Sequence, residues 1–138
     1  MALHTQLPIY KVAYGLFDAI MDLAKNIPRD FKASIGGKLR DECIEILTLI
    51  FRANVARDKT PHLGTLIERL QVTELLLRLS RDKRLISTGQ YAKAVELTQS
   101  IGKQANAKAV GLDAAGGQSH TSDGLGAVSP EPTFGETK

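Results

Sequence analysis

The sequence predicts an all-helical domain of four helices, followed by a polar tail. Apolar residues recur at helical spacing in four stretches between residues 9 and 105, and prolines or capping residues stand between these stretches. No stretch shows the alternation that is typical of a β-strand. A chain of 138 residues fits one domain, and we divide it into an N-terminal arm (1–8), a helical bundle (9–110) and a tail (111–138).

The first predicted helix begins near Ile9, because Pro8 suits the first turn of a helix, and it ends before Pro28. Tyr10, Tyr14 and Met21 widen its apolar face, which suggests more contact than one core requires. Its apolar stripe contains Val12, Ala13, Leu16, Phe17, Ile20, Leu23, Ala24 and Ile27.

The second predicted helix begins near Arg29, with Asp30 as its candidate N-cap, and runs to about Arg57. The pair Gly36 and Gly37 indicates either a close helix crossing or an irregular first turn. Its apolar stripe contains Ile35, Leu39, Cys43, Ile46, Leu47, Ile50 and Asn54, and we place the acids Asp41, Glu42 and Glu45 on or near a solvent face.

The third predicted helix starts at Pro61, with Thr60 as N-cap, and runs to about Arg84. We expect its Glu74 to pair with Arg78 on the surface. A helix in a small bundle needs only one apolar face. This helix has two, which predicts that another copy of the chain or a partner covers the second face. One stripe is Leu66, Leu70, Thr73 and Leu77, and the other is Val72, Leu75, Leu76 and Leu79.

The fourth predicted helix begins after Ser87 or Thr88, either of which can cap it, and stops near Gly111. Its inward positions carry mostly small side chains, which allow neighbouring helices to approach closely. The tail that follows has six of the twelve glycines and hardly any bulky apolar residue, so we expect it to be disordered.

Charge is distributed unevenly along the chain. Residues 1–110 hold 17 Lys and Arg against 11 Asp and Glu, a net charge of +6, whereas residues 111–138 carry −3. A basic domain commonly binds an anionic partner such as nucleic acid, although solubility alone can also explain the charge. The sequence has no signal-peptide pattern at residues 1–6 and no membrane-spanning run, so we expect a cytoplasmic protein without a membrane partner.

The residues that could support catalysis or bind a cofactor are few. The three histidines lie far apart, which argues against a metal site, and Cys43 has the apolar neighbours of a buried, inert thiol. We therefore expect no cofactor and no catalytic residues. One pattern, Arg57 followed by His62, resembles the motif of helical HEPN ribonucleases, but it spans an interhelical turn that contains Pro61 and is short enough to arise by chance.

Several short motifs together resemble a known family. In chain order they are Ile9-Tyr10-Lys11, Asn26-Ile27-Pro28-Arg29, LLLRLSRD at 75–82, LIS at 85–87 followed by Gln90-Tyr91, and Ile101-Gly102-Lys103-Gln104. Their order and spacing are similar to the four-helix-bundle family that includes the accessory variability determinant (Avd) of diversity-generating retroelements and the protein encoded within 23S rRNA intervening sequences. The run LLLRLSRDKRLIS is closer to the retroelement branch.

The resemblance implies an up-down antiparallel four-helix bundle that assembles into a homopentameric barrel. It further implies a non-catalytic accessory protein that binds RNA or DNA and the reverse transcriptase of the element during mutagenic cDNA synthesis. Strong base specificity is not indicated, because the chain has no recognisable reader motif. Neighbouring genes would separate the branches: a reverse transcriptase with a template and variable repeat favours the retroelement, and a location inside an rRNA gene favours the other.

The candidate contact residues for nucleic acid or reverse transcriptase are basic side chains near two helix ends. Cations at the end of a helix can instead complement its dipole, and this explanation competes with binding for the cluster on the third helix. Two further hypotheses stay open, a HEPN-like ribonuclease that uses Arg57 and His62 and a scaffold that ignores nucleic acid. The candidates are Arg78, Arg81, Lys83 and Arg84, then Lys25, Arg29 and Lys32.

Overall fold

The computed structural model describes residues 7–116, and the side chains of residues 7–108. The chain divides into two units, Met1–Asn106 and Ala107–Lys138. The long helices are α1 (Pro8–Ala24), α2 (Gly37–Val55), α3 (Thr60–Asp82) and α4 (Thr88–Gly116). All regular structure in the described part is helical, which confirms the prediction of an all-helical domain and is consistent with a four-helix bundle.

Helix α4 continues to Gly116 rather than stopping near Gly111. Residues 117–138 of the predicted tail and residues 1–6 of the predicted arm lie outside the described residues. No helix in the described part is long and apolar enough to cross a membrane.

The predicted apolar stripes form the core. On α3 the first stripe, Leu66, Leu70, Thr73 and Leu77, is buried at every position, while Leu75 and Leu79 of the second stripe are 53% and 45% exposed. Within residues 7–108, the second apolar face of α3 is therefore only partly covered. The other helices contribute Ile9, Ala13, Leu16, Ile20, Leu23, Leu39, Cys43, Ile46, Leu49, Ile50, Ala94, Ile101 and Ala105 to the same core.

The prediction that Glu42 lies on or near a solvent face is wrong. Its side chain is only 11% exposed and forms an ion pair with Arg69 of α3, whose Nη1 lies 3.0 Å from Oε2 and 3.3 Å from Oε1. A carboxylate at this depth requires such a partner, because burial removes its hydration. The pair joins the second turn of α2 to the middle of α3.

The start of the second helical segment departs from regular α-helix. One turn, Arg29–Phe31, is followed by π-helical Lys32–Gly36 before α2 begins at Gly37. Pro28 occupies the N-cap position and no side chain caps this end, so the predicted cap at Asp30 is wrong. The buried Gly36 lies against Ala24 and Ile27 near the end of α1, where a Cβ would meet Ala24 at 3.7 Å.

The connection between α2 and α3 is held by two side chains. The Thr60 backbone N–H donates to Asp58 Oδ1 over 3.1 Å, and Lys59 occupies the N-cap position, so the predicted cap at Thr60 is wrong. Lys59 Nζ donates to the carbonyl oxygens of Ala53, Asn54 and Ala56 at 2.7–3.2 Å. A cation here satisfies carbonyls that the end of α2 leaves without helical partners.

Helices α3 and α4 run antiparallel and approach closely. The Thr98 hydroxyl donates to Glu74 Oε2 over 2.6 Å, so Glu74 pairs across the helices and not with Arg78 as expected. Gly102 lies beside Leu70, where a Cβ would be 3.9 Å from the leucine Cδ1. Later residues of α3 thus meet earlier residues of α4, and small side chains on α4 allow the contact.

Cys43 is buried and free, which confirms the predicted burial of this thiol. Burial first and the neighbouring Glu42 carboxylate second raise the pKa of this thiol from 9.0 to about 12. Well below pH 9 the thiol is protonated in both the folded and the unfolded chain. As the pH rises from 9 towards 12, only the unfolded thiol ionises, so this group contributes less and less to stability.

We expect Cys43 to resist alkylation by iodoacetamide at pH 8.5 in the native protein. The thiolate is the nucleophile, and both burial and the raised pKa suppress it, so the native rate should be on the order of 100-fold lower than the rate in urea. Mass spectrometry of timed samples measures both rates. Equal rates in native and denatured protein would contradict the buried placement of this thiol.

Candidate nucleic-acid interface

The predicted basic residues lie at one end of the helical bundle. Consecutive helices are joined by short connections, and the Glu42–Arg69 and Glu74–Thr98 contacts indicate that α3 runs antiparallel to both α2 and α4. In an up-down arrangement the first and third connections therefore occur at the same end. We call this set of residues the basic end: Lys25, Arg29 and Lys32 from the first connection, with Arg78, Arg81, Lys83 and Arg84 from the end of α3.

Most side chains of the basic end are exposed, and Arg81 is half-buried. Lys25 lies 3.7 Å from Asp22, in an ion pair whose two side chains are more than three-quarters exposed. Such a pair in water contributes little to stability. Lys32 Nζ lies 3.4 Å from the Lys25 carbonyl oxygen, which places these two lysines side by side across the first connection.

Arg81 differs from the other candidates because the protein itself holds its guanidinium group. The guanidinium carbon lies 4.3 Å from the ring centroid of Tyr91 on α4, within the range of a cation–π contact. Its Nε and Nη2 also donate to Asp82 Oδ1 at 3.2 and 3.0 Å. Arg81 therefore joins α3 to α4, a role that the sequence did not predict because it depends on a contact between two helices.

Four cations of the basic end have no such partner. Within residues 7–108, no side-chain hydrogen bond, ion pair or ring contact involves Arg29, Arg78, Lys83 or Arg84. Their charges face solvent and can meet an anionic ligand without first breaking an internal contact. The helix-dipole explanation fits Arg81, which lies in the last turn of α3, better than Arg78, which lies one turn earlier.

The HEPN-like residues lie at the other end of the bundle. Arg57 is exposed in the α2–α3 connection, and His62 is half-buried in the first turn of α3. Among the described residues, no hydrogen bond joins these two side chains or ties either of them to a neighbouring acid. The described residues also contain no group of three or more His, Cys, Asp or Glu placed to hold a metal ion.

Comparison with known protein families matches residues 7–110 to a family described as bAvd-like. The match covers most of the chain and all of α1, α2 and α3. No curated protein and no solved structure gives a significant match.

Replacing Arg81 with alanine should lower the free energy of unfolding by about 1 kcal/mol, because the cation–π contact and the bond to Asp82 are both lost. Arg78→Ala is the matched control, since this exposed arginine of the same helix makes no side-chain contact. Urea unfolding followed by circular dichroism measures both. A double-mutant cycle with Tyr91→Leu isolates the ring contact, and additive effects in that cycle would contradict it.

Proposed function

The chain belongs to the bAvd-like family, and we propose that it is a non-catalytic accessory protein of a diversity-generating retroelement. In this proposal it binds the template RNA or the cDNA without strong base specificity, binds the reverse transcriptase of the element, and so supports mutagenic cDNA synthesis. The family match carries the proposal, because it spans the helices and favours the retroelement branch over the rRNA intervening-sequence branch.

The placement of charge supports nucleic acid as the ligand. Arg29, Arg78, Lys83 and Arg84 are exposed cations at one end of the bundle, and no internal acid neutralises them in the described structure. A polyanion gains from several such cations at once, because each phosphate contact releases condensed counterions. Contacts of this kind are made to the phosphate backbone of the nucleic acid and not to its bases, in keeping with weak base specificity.

Exposed apolar side chains support self-assembly, which we propose is a homopentamer. On α1, Tyr14 is 51% exposed, and its ring centroid lies 6.2 Å from that of Tyr10 and 6.5 Å from that of Phe17. On α2, Ile44, Phe51 and Val55 are about half exposed at spacings of seven and four residues. Apolar surface of this extent is unusual on a monomeric protein, since leaving it in water is unfavourable.

A ring explains why these surfaces differ from one another. A closed ring uses heterologous contacts, in which one surface of a subunit meets a different surface of its neighbour. Helices α1 and α2, which pack together, supply an aromatic surface, and Leu75 and Leu79 of α3 supply an aliphatic one. We propose that the aliphatic surface of one subunit packs on the aromatic surface of the next. The count of five follows from the family resemblance.

The first experiment tests nucleic-acid binding at the basic end. Arg78→Glu should weaken binding to single-stranded RNA and lower the slope of log K against log salt by about 1 per lost phosphate contact. Lys11→Glu is the matched control, because it makes a similar charge change on an exposed residue in the first turns of α1, at the other end of the bundle. Fluorescence anisotropy at several salt concentrations measures both variants.

The outcomes of this experiment separate the parts of the proposal. If the wild-type protein does not bind RNA or DNA, the nucleic-acid function is wrong. If Arg78→Glu and Lys11→Glu weaken binding equally, overall charge and not the basic end is responsible.

The second experiment tests self-assembly. Leu75→Glu places a charge in the proposed contact and should shift the protein from five subunits to a smaller species, as measured by light scattering after size exclusion. The matched control is Gln71→Glu, which adds a negative charge one turn earlier on an exposed position of α3 without removing apolar surface. A wild-type monomer at micromolar concentration would contradict self-assembly, and a Leu75→Glu pentamer would contradict this contact surface.

A further inference from the structure

Arg84 has a backbone conformation that an arginine rarely adopts. Its φ is 61°, in the left-handed region, and no other non-glycine residue in the described part of the chain has a positive φ. The left-handed region is unfavourable for residues with a Cβ, and glycine is the usual residue at such a position. The chain therefore carries a charged side chain where glycine would be more stable.

The hydrogen bonds that end α3 explain why Arg84 has this conformation. The Leu85 N–H donates to the Ser80 carbonyl over 2.8 Å, and the Arg84 N–H donates to the Arg81 carbonyl over 2.9 Å. These two bonds define a Schellman motif, whose left-handed residue is commonly glycine. Leu85 and the following Ile86 are buried, which anchors the chain directly after Arg84.

The start of α4 fixes the same connection from the other side. Ser87 Oγ accepts a hydrogen bond from the Gln90 N–H, and Gln90 Oε1 accepts one from the Ser87 N–H, each over 3.0 Å. This reciprocal pair is a capping box, and it confirms Ser87 as the cap of α4. The stack of Arg81 on Tyr91 adds a side-chain link between the two helices. Contacts on both sides thus determine the backbone of Arg84.

We propose that Arg84 is a fixed phosphate-contacting residue of the basic end, and that Arg81 is a positioning residue which holds the connection that carries Arg84. The inference rests on the proposed nucleic-acid function. The Arg84 side chain is exposed and makes no hydrogen bond or ion pair within residues 7–108. Because its backbone is already held, binding orders only the side chain, and the loss of conformational entropy is smaller than on a loose loop.

A phosphodiester is the ligand that fits this position best. A guanidinium group presents its donors as a planar fork that matches both phosphate and carboxylate oxygens. The unpaired cations Arg78 and Lys83 precede Arg84 in the sequence, and Arg29 lies at the same end of the bundle. Asp82, the acid next to Lys83, is already bonded to Arg81. A surface with several unpaired cations favours a ligand with regularly repeated negative charge, which a nucleic-acid backbone provides.

The substitution Arg84→Gly tests the inference, because it should raise thermal stability while it weakens binding. We expect the Tm of the full chain to rise by about 2–5 °C as the backbone strain is relieved. The affinity for single-stranded RNA should fall about 3- to 10-fold, with a lower salt slope. Lys83→Ala is the matched control: it removes a neighbouring charge without relieving strain, so its Tm should not rise.

A second variant separates charge from backbone conformation. Arg84→Asn keeps a residue that tolerates the left-handed region and removes the charge, so it should bind as weakly as Arg84→Gly.

Four results would contradict the proposed function or the proposed role of Arg84. A wild-type protein that binds neither RNA nor DNA overturns the proposed nucleic-acid function itself. If the wild-type protein binds RNA and Arg84→Gly binds it equally well, only the proposed role of Arg84 is wrong. If the Tm of Arg84→Gly does not rise above that of the wild type, Arg84 does not strain the backbone, and the inference loses its basis. If this variant keeps its RNA affinity but loses affinity for the purified reverse transcriptase, Arg84 contacts protein carboxylates and the assignment to phosphate is wrong.

Discussion

The buried stripe of α3 is the contact on which the other features depend. Leu66, Leu70 and Leu77 are at most 3% exposed, and burial of each such side chain contributes roughly 1.5–3 kcal/mol. Once this stripe faces the core, the pitch of the helix directs Leu75 and Leu79 outward and sets Glu74 against α4. The same rotation leaves Arg78 in solvent. The oligomer surface and the charged surface of α3 thus follow from one packing constraint.

Periodicity predicted the core well because it depends on neighbours along a single helix. All four residues of the first stripe on α3 are buried, as the spacing indicated. Contacts between helices could not be predicted in this way. Glu42 shares its sequence pattern with surface acids, and only the distant Arg69 shows that its carboxylate is buried and paired. Glu74 was likewise matched with a residue on its own helix, whereas its partner Thr98 comes from α4.

The basic residues could be selected from the sequence, but their separate roles could not. From the sequence alone, the charges of Arg78, Arg81 and Arg84 look equivalent. In the structure one is free on the surface, one is stacked on Tyr91 and bonded to Asp82, and one has a left-handed backbone. Which residues share an end of the bundle also depends on the topology of the helices. Arg29 and Arg84 lie at the same end although 54 residues separate them in the sequence.

The two ends of the bundle use cations differently, and this contrast separates a structural role from a binding role. At the α2–α3 connection, Lys59 donates hydrogen bonds to three backbone carbonyls and so stabilises the end of α2. At the α3–α4 connection, backbone N–H groups already bond the carbonyls of Leu79, Ser80 and Arg81. Lys83 and Arg84 are therefore not needed for capping, and their charges remain available. A cation that the fold does not use, at a position where glycine would be more stable, indicates a role outside the folded chain.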